Sequence, residues 1–172
     1  MDTNLVPFLN LPIDPLLRAT STWRRESVDV DALYRTHRRR LVALAAAITL
    51  DRHAAEEVVQ EAFFGLHRHA GHVDQPVGYL QRAVVNRAIS VQRRRRVAAD
   101  HIPVVVRPAS IPEIDETWQV VRRLPAKQRA VVVLRFWEDM TVDAIAQTLG
   151  WPAGSVMSTL HRALKRLKEE IG

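Results

Sequence analysis

Apolar residues recur along this chain at steps of three and four, the spacing that collects them on one face of a helix. Leu33, His37, Leu41, Leu44 and Ile48 form the first such series and predict a helix over about 28–49. Asp51 is placed to cap a second helix, about 52–69, with the stripe Ala55, Val58, Val59, Ala62 and Leu66. The stretch HAGHVDQPVG reads as a loop, punctuated by Gly71, Pro76 and Gly78. A third helix, about 77–96, turns Val77, Leu80, Val84, Ala88 and Val91 inward. Pro103, Pro108 and Pro112 then forbid a continuous helix. The run VVV between them has no partner strand, so the segment reads as a linker. Beyond it, a short helix over about 114–123 precedes Pro125, which opens another helix ending near Trp137. Thr141 caps VDAIAQTL, Gly150 ends it, and a last helix runs over about 155–170.

The pattern predicts an all-α chain of two small helical domains joined by an extended linker, the C-terminal one a helix-turn-helix. The expected divisions are an N-terminal arm at 1–27, a helical domain at 28–97, the linker at 98–113 and a second domain at 114–172. The arm is apolar but interrupted by Pro7, Pro12 and Pro15, and it has no basic leader. It reads as neither a signal peptide nor a membrane span, and LVALAAAITL is too short to cross a bilayer. With no cysteine in the chain, a disulfide framework and thiolate metal sites are excluded. These features fit a soluble protein of the cytoplasm with no membrane insertion.

Charge adds a partner. There are 25 Lys and Arg against 19 Asp and Glu, a formal net charge of +6, which suits a polyanion such as nucleic acid. Only Lys127, Lys165 and Lys168 are lysines; arginine's planar fork suits phosphate and guanine edges, although a GC-rich genome favours it as well.

Three faces then carry candidate chemistry. In TVDAIAQTLGWPAGSVMSTLHRALKRL two amphipathic helices flank a glycine turn. Val156, Leu160, Ala163, Leu164 and Leu167 fall on one side of the second helix, and Ser158, His161, Arg162 and Lys165 fall opposite. That outward side has the donors a major-groove reader needs, and Arg162 has the fork for guanine. On the third helix Tyr79, Arg82, Asn86 and Arg93 share the side away from its stripe, a stacking and phosphate platform suited to melted DNA. The run RRRR at 93–96 supplies salt-sensitive, sequence-blind attraction, and Arg87 suits an ion pair within the protein. The second helix inverts the charge. Glu56, Glu57 and Gln60 project opposite its stripe with Phe64 one turn on, which reads as a protein-docking face. Acidic residues near a helix N-terminus also complement its dipole, but that does not account for Phe64.

The stretches AAEEVVQEAFFGLHRH, GYLQRAVVNRAISVQRRRR and RLPAKQRAVVVLRFWEDMTVDAIAQTLGWPAGSVMSTLHRALKRLKEE, in that order, resemble a bacterial RNA polymerase sigma factor of the extracytoplasmic-function class. The similarity covers about 28–172. It implies two helical domains bound to core RNA polymerase and promoter DNA. The acidic segment 54–61, with Glu61 and the neighbouring Phe64, corresponds to the family's motif for the clamp helices of the largest subunit; the flap is a second contact. Residues 71–96 correspond to the element that captures and melts the −10 sequence, with Asn86 at the family's asparagine. The last helix corresponds to the −35 reader, so Ser155, Met157, Ser158, His161, Arg162 and Lys165 are its candidate contacts. The linker is expected in the active-site and RNA-exit channels, and many members are restrained by an anti-sigma factor. The chain departs from the family pattern at Ala54, Tyr79, Ser90, Met157 and Thr159. Met157 cannot donate a hydrogen bond to guanine.

Other classes fit less of the chain. His67, His69 and His72 cluster, but His67 and His69 are two apart on a helix and point in different directions, and no HExxH completes a site. No phosphate loop, nucleophile triad or paired-carboxylate pocket stands out, so no catalysis, metal or cofactor is expected. A stand-alone helix-turn-helix regulator explains the second half but leaves the acidic helix and the Tyr79–Asn86 platform without a role. A pure protein-interaction module leaves the reader helix unexplained.

Overall fold

A computed structural model describes residues 28–99 and 116–171. The arm and the proline-rich part of the linker lie outside the described residues, as does the VVV run. The regular structure among the described residues is helical: α1 (Val30–Thr49), α2 (Arg52–His69), α3 (Pro76–Ala99), α4 (Glu116–Arg123), α5 (Ala126–Val132), α6 (Val142–Leu149) and α7 (Ala153–Ile171). A 3-10 turn (Ala70–His72) follows α2, and a π-helical turn (Val133–Trp137) extends α5.

Local chemistry sets most of the boundaries. Asp29 accepts a hydrogen bond from the Ala32 amide at 2.9 Å and starts α1. Leu50 closes α1 in the left-handed region (φ 56°), a conformation unusual for a branched side chain, and Asp51 starts α2 through the Ala54 amide at 2.9 Å. Pro76 opens α3, where its missing N–H costs nothing. The helix runs to Ala99, so the arginine run lies inside it. Thr141 caps α6 through the Ala144 amide at 3.2 Å, and Gly150 (φ 69°) ends it.

Helices α1–α3 pack as a three-helix unit around Leu44, Ile48, Val58, Val59, Leu66, Leu80, Val84 and Val85. The same buried cluster continues into Ala130, Val131, Leu134, Ile145, Leu149 and Val156 of the second half. The two halves therefore share one core in this arrangement. Val121, Leu124, Val132, Ala163 and Leu167 make a smaller cluster that holds α4 and α7 on α5.

Two expected stripes are displaced. In α3 the buried set is Leu80, Val84, Val85, Ala88 and Ile89, while Val91 is half-buried and Val77 is 39% exposed. Contact with both halves widens the buried arc of α3, and Val77 sits at the rim of a crevice that His37, Leu41 and Glu138 also line. In α7 Leu164 is 41% exposed and Thr159 is buried in its place. The inward residues there are Val156, Thr159, Ala163 and Leu167, spaced three, four and four, and Leu164 lies one helical step outside that line.

Candidate nucleic-acid and polymerase interfaces

The outward side of α2 presents Glu57, Gln60, Glu61 and Phe64 to solvent, with Glu56 half-buried. Phe64 is 63% exposed, and the Arg68 guanidinium lies 5.0 Å from its ring centre. Glu56 accepts from Arg52 at 3.2 Å, and Glu61 is paired with Arg87 of α3. Arg87 thus makes an ion pair within the chain, as its position beside the stripe suggested. Part of the face's negative charge is balanced internally, and among the described residues Glu57 is met only by His53, at 3.9 Å.

The four platform residues of α3 do not form one free surface. Tyr79 is half-buried, and its hydroxyl oxygen stands 2.9 Å from where a side chain on Gly65 would begin. Glycine at 65 is therefore what lets the ring lie across α2. Arg82 reaches α6, its Nη2 lying 3.3 Å from the corresponding position on Gly150. Asn86 Nδ2 donates to the Thr148 carbonyl at 3.3 Å. Arg93 is exposed at the edge of a cleft between the halves. Ser90 donates back to the Asn86 carbonyl at 2.9 Å.

The outward side of α7 stands clear of these contacts. Residues 150–152 turn the chain from α6 to α7, and Ser155, Met157, Ser158, His161, Arg162 and Lys165 are all exposed. Arg162 Nε donates to the Ser158 carbonyl at 3.2 Å, and Nη2 lies 3.5 Å from the Thr159 hydroxyl. The guanidinium is thereby steadied along its helix, while its outer edge faces solvent. Lys165 has Glu169 one turn on at 3.9 Å. Donors and a cation project from one side of a rigid helix, as base and phosphate contact from a groove requires.

Residues 33–97 match the family model for sigma-70 region 2, and residues 114–167 match that for sigma-70 region 4. An RNA polymerase sigma-E factor of Streptomyces avermitilis is 33% identical over 157 residues, spanning 85% of this chain and 87% of the relative. The chain belongs to the sigma factor family. The ECF RNA polymerase sigma factor SigM of Mycobacterium tuberculosis is 32% identical over 150 residues, covering 83% of this chain and 76% of that one. A similar fold occurs in the sigma factor RpoE of Bartonella quintana, solved with the anti-sigma factor NepR. Its TM-score is 0.63 at 20% identity, over 82% of this chain and 95% of that one. The extracytoplasmic-function resemblance carried by the three quoted stretches thus holds.

Two features of this sigma factor were not legible as function in its sequence. Arg129 of α5 is buried and donates to the Ile48 carbonyl through Nε (3.1 Å) and Nη2 (2.6 Å). Its Nη1 donates to the carbonyls of Arg122 (2.9 Å) and Leu124 (2.7 Å). One guanidinium thus closes the C-terminal ends of α1 and α4 and links the two halves. Burial, with the Arg122 charge second, lowers its pKa to about 10. It remains charged at neutral pH, stabilised by carbonyls at two helix C-termini. The second feature is the π turn, which swings Phe136 and Trp137 out to 62% and 57% exposure, with Trp137 edge-on to Trp118 at 5.7 Å. The only sequence hint was two aromatics at the end of an otherwise buried helix. A further polar link joins the halves where Glu138, just after that turn, pairs with Arg40 and accepts from Gln81 at 3.4 Å.

Proposed function

We propose that this sigma factor binds core RNA polymerase through the α2 face of Glu56, Glu57, Gln60, Glu61 and Phe64. It engages the −10 element through Tyr79, Arg82, Asn86 and Arg93, and the −35 element through Ser155, Met157, Ser158, His161, Arg162 and Lys165. The working divisions are 28–97 for docking and melting and 114–172 for −35 reading, joined by 98–113 after an arm at 1–27. The observation that carries this reading is the pairing of an acidic face bearing an exposed Phe64 with a separate, exposed donor face on α7. A DNA regulator acting alone has no use for the first of these.

The exposed Phe136 and Trp137 are a second apolar patch suited to a protein contact, and the polymerase flap is its candidate partner. An anti-sigma factor is a further candidate partner, as in the RpoE complex. The chain acts as an initiation subunit without catalytic chemistry of its own, in the cytoplasm where polymerase works. No helix among the described residues is long and apolar enough to cross a membrane.

Because Asn86 donates to Thr148 of α6 and Arg82 lies beside Gly150, these two residues are freed for the −10 element when the second half moves off α3. Transcription with purified core polymerase on promoter fragments selected from the source genome tests the reading. A promoter-specific transcript that requires this protein is the expected result. Tight binding to a specific duplex by the protein alone, with no transcript from core enzyme, would make it a stand-alone regulator.

A further inference from the structure

Between the end of α3 and the α4–α5 turn lies a half-open cleft of about 660 Å³, walled by both halves of the chain. Its floor includes Leu50, Ile89, Leu124 and Pro125. Its walls carry Arg93 and Arg96 from α3, Arg122 and Lys127 from α4 and α5, and Arg166 from α7. Two more wall arginines are neutralised, Arg95 by Asp51 at 2.8 Å and Arg123 by Glu170 at 3.0 Å. None of the other five cations forms an ion pair among the described residues. Arg129, in the same wall, is likewise bonded only to carbonyls. Like charges from two halves thus face one another across a cleft whose walls come together only when the halves pack, and their repulsion opposes that packing.

We propose that the cleft binds a compact polyphosphate anion, a nucleoside polyphosphate or an inorganic one, which bridges the two halves. Four of the five unpaired cations are arginines, whose forked donors match phosphate oxygens two at a time. They come from three elements, so an anion with adjacent charged groups engages more of them than a single carboxylate does. The volume falls in the range of small-ligand sites. The apolar floor offers a surface for a planar base beside the phosphates. Bound anion stabilises the packed arrangement by its affinity for that state alone. On the promoter reading above, it also keeps Asn86 and Arg82 against α6 and slows melting; the binding itself does not depend on that reading.

The test is calorimetric titration of the full-length chain with inorganic tripolyphosphate and, separately, with a nucleoside triphosphate, both without metal. Saturable binding and a raised thermal midpoint are expected. The double variant Arg96→Ala/Arg122→Ala, and independently Arg93→Ala/Lys127→Ala, should weaken binding about tenfold or more with an unchanged helical circular-dichroism spectrum. Arg39→Ala, on the exposed side of α1, should leave it unchanged. Tighter binding of the nucleotide places a base on the apolar floor, and equal affinity assigns the site to phosphate alone. Absence of saturable binding overturns the proposal, and so does an equal loss in Arg39→Ala, which reduces the effect to net charge. A single-stranded oligonucleotide that binds more tightly through the same residues also overturns it, by making the cleft a track for nucleic acid. For the effect on melting, tripolyphosphate should slow open-complex formation by the wild type and not by Arg96→Ala/Arg122→Ala.

Discussion

The outward side of α7 and the matching side of α3 carry the same kinds of group: guanidiniums, an aromatic ring or imidazole, and short polar side chains. On α7 they stand in solvent, because that helix buries only its other side against α5 and α6. On α3 they are engaged within the chain, Tyr79 across Gly65 of α2, Arg82 beside Gly150 and Asn86 on Thr148. The difference is one of neighbours, since both faces follow from the same 3.6-residue periodicity. A helix packed on one side leaves its polar face free. A helix wedged between two units has part of its polar face engaged by them.

The largest test of that contrast is Arg129→Ala. It leaves the carbonyls of Ile48, Arg122 and Leu124 buried without their donor, and urea denaturation should show a loss of about 3 kcal/mol or more. A loss below about 1 kcal/mol would mean that the two halves do not depend on this link. Arg162→Ala comes next. It should cost about 1–3 kcal/mol of −35 duplex affinity in the holoenzyme, confined to one base position, and leave the urea midpoint unmoved. A loss spread evenly over all sequences would make Arg162 a phosphate contact.

Asn86→Ala sharpens the comparison from the other side. Its bond to Thr148 is long, so the fold should lose about 1 kcal/mol or less, while open-complex formation falls more than initial duplex binding does. Equal losses in both steps would leave Asn86 a merely structural residue. The smallest effect belongs to Asp51→Asn, which keeps a cap for α2 and removes the ion pair with Arg95, for about 0.5 kcal/mol. The Ala54 amide first, and Arg95 after it, hold the Asp51 carboxyl below its ordinary 3.8, against the opposing effect of burial. Its contribution is therefore complete above pH 3.8 and lost as pH falls through the lower folded value. Acid titration of stability should show a flatter slope in the variant below pH 3.8.

Helix positions were readable because their signals are local. Asp51, Thr141 and Gly150 act within one turn of their own chain, and each caps or ends the helix expected of it. Every residue of the α2 stripe is buried, because one side of that helix is packed and the other is free. The stripes of α3 and α7 shifted where further elements pack against them, exposing Val77 and Leu164 and burying Thr159. Arg129 was unreadable as a link because nothing in RLPAKQRAVVV marks which carbonyls its guanidinium will meet. The π turn was hidden because the run VVVL is apolar throughout, so a single inserted backbone step does not change its pattern.

By itself, the order of residues determined the helices, their caps, the acidic and donor faces and the family, since each depends on neighbours within a turn or two or on motifs in sequence. Only the tertiary structure decided that Tyr79 and Asn86 of the α3 platform are half-buried against other helices, that one core spans both halves and that unpaired arginines gather in a cleft. Those outcomes rest on contacts such as Asn86 with Thr148 and Arg129 with Ile48, made across 62 and 81 residues of chain. Periodicity along one helix records which side is apolar, and it holds no record of what will pack there.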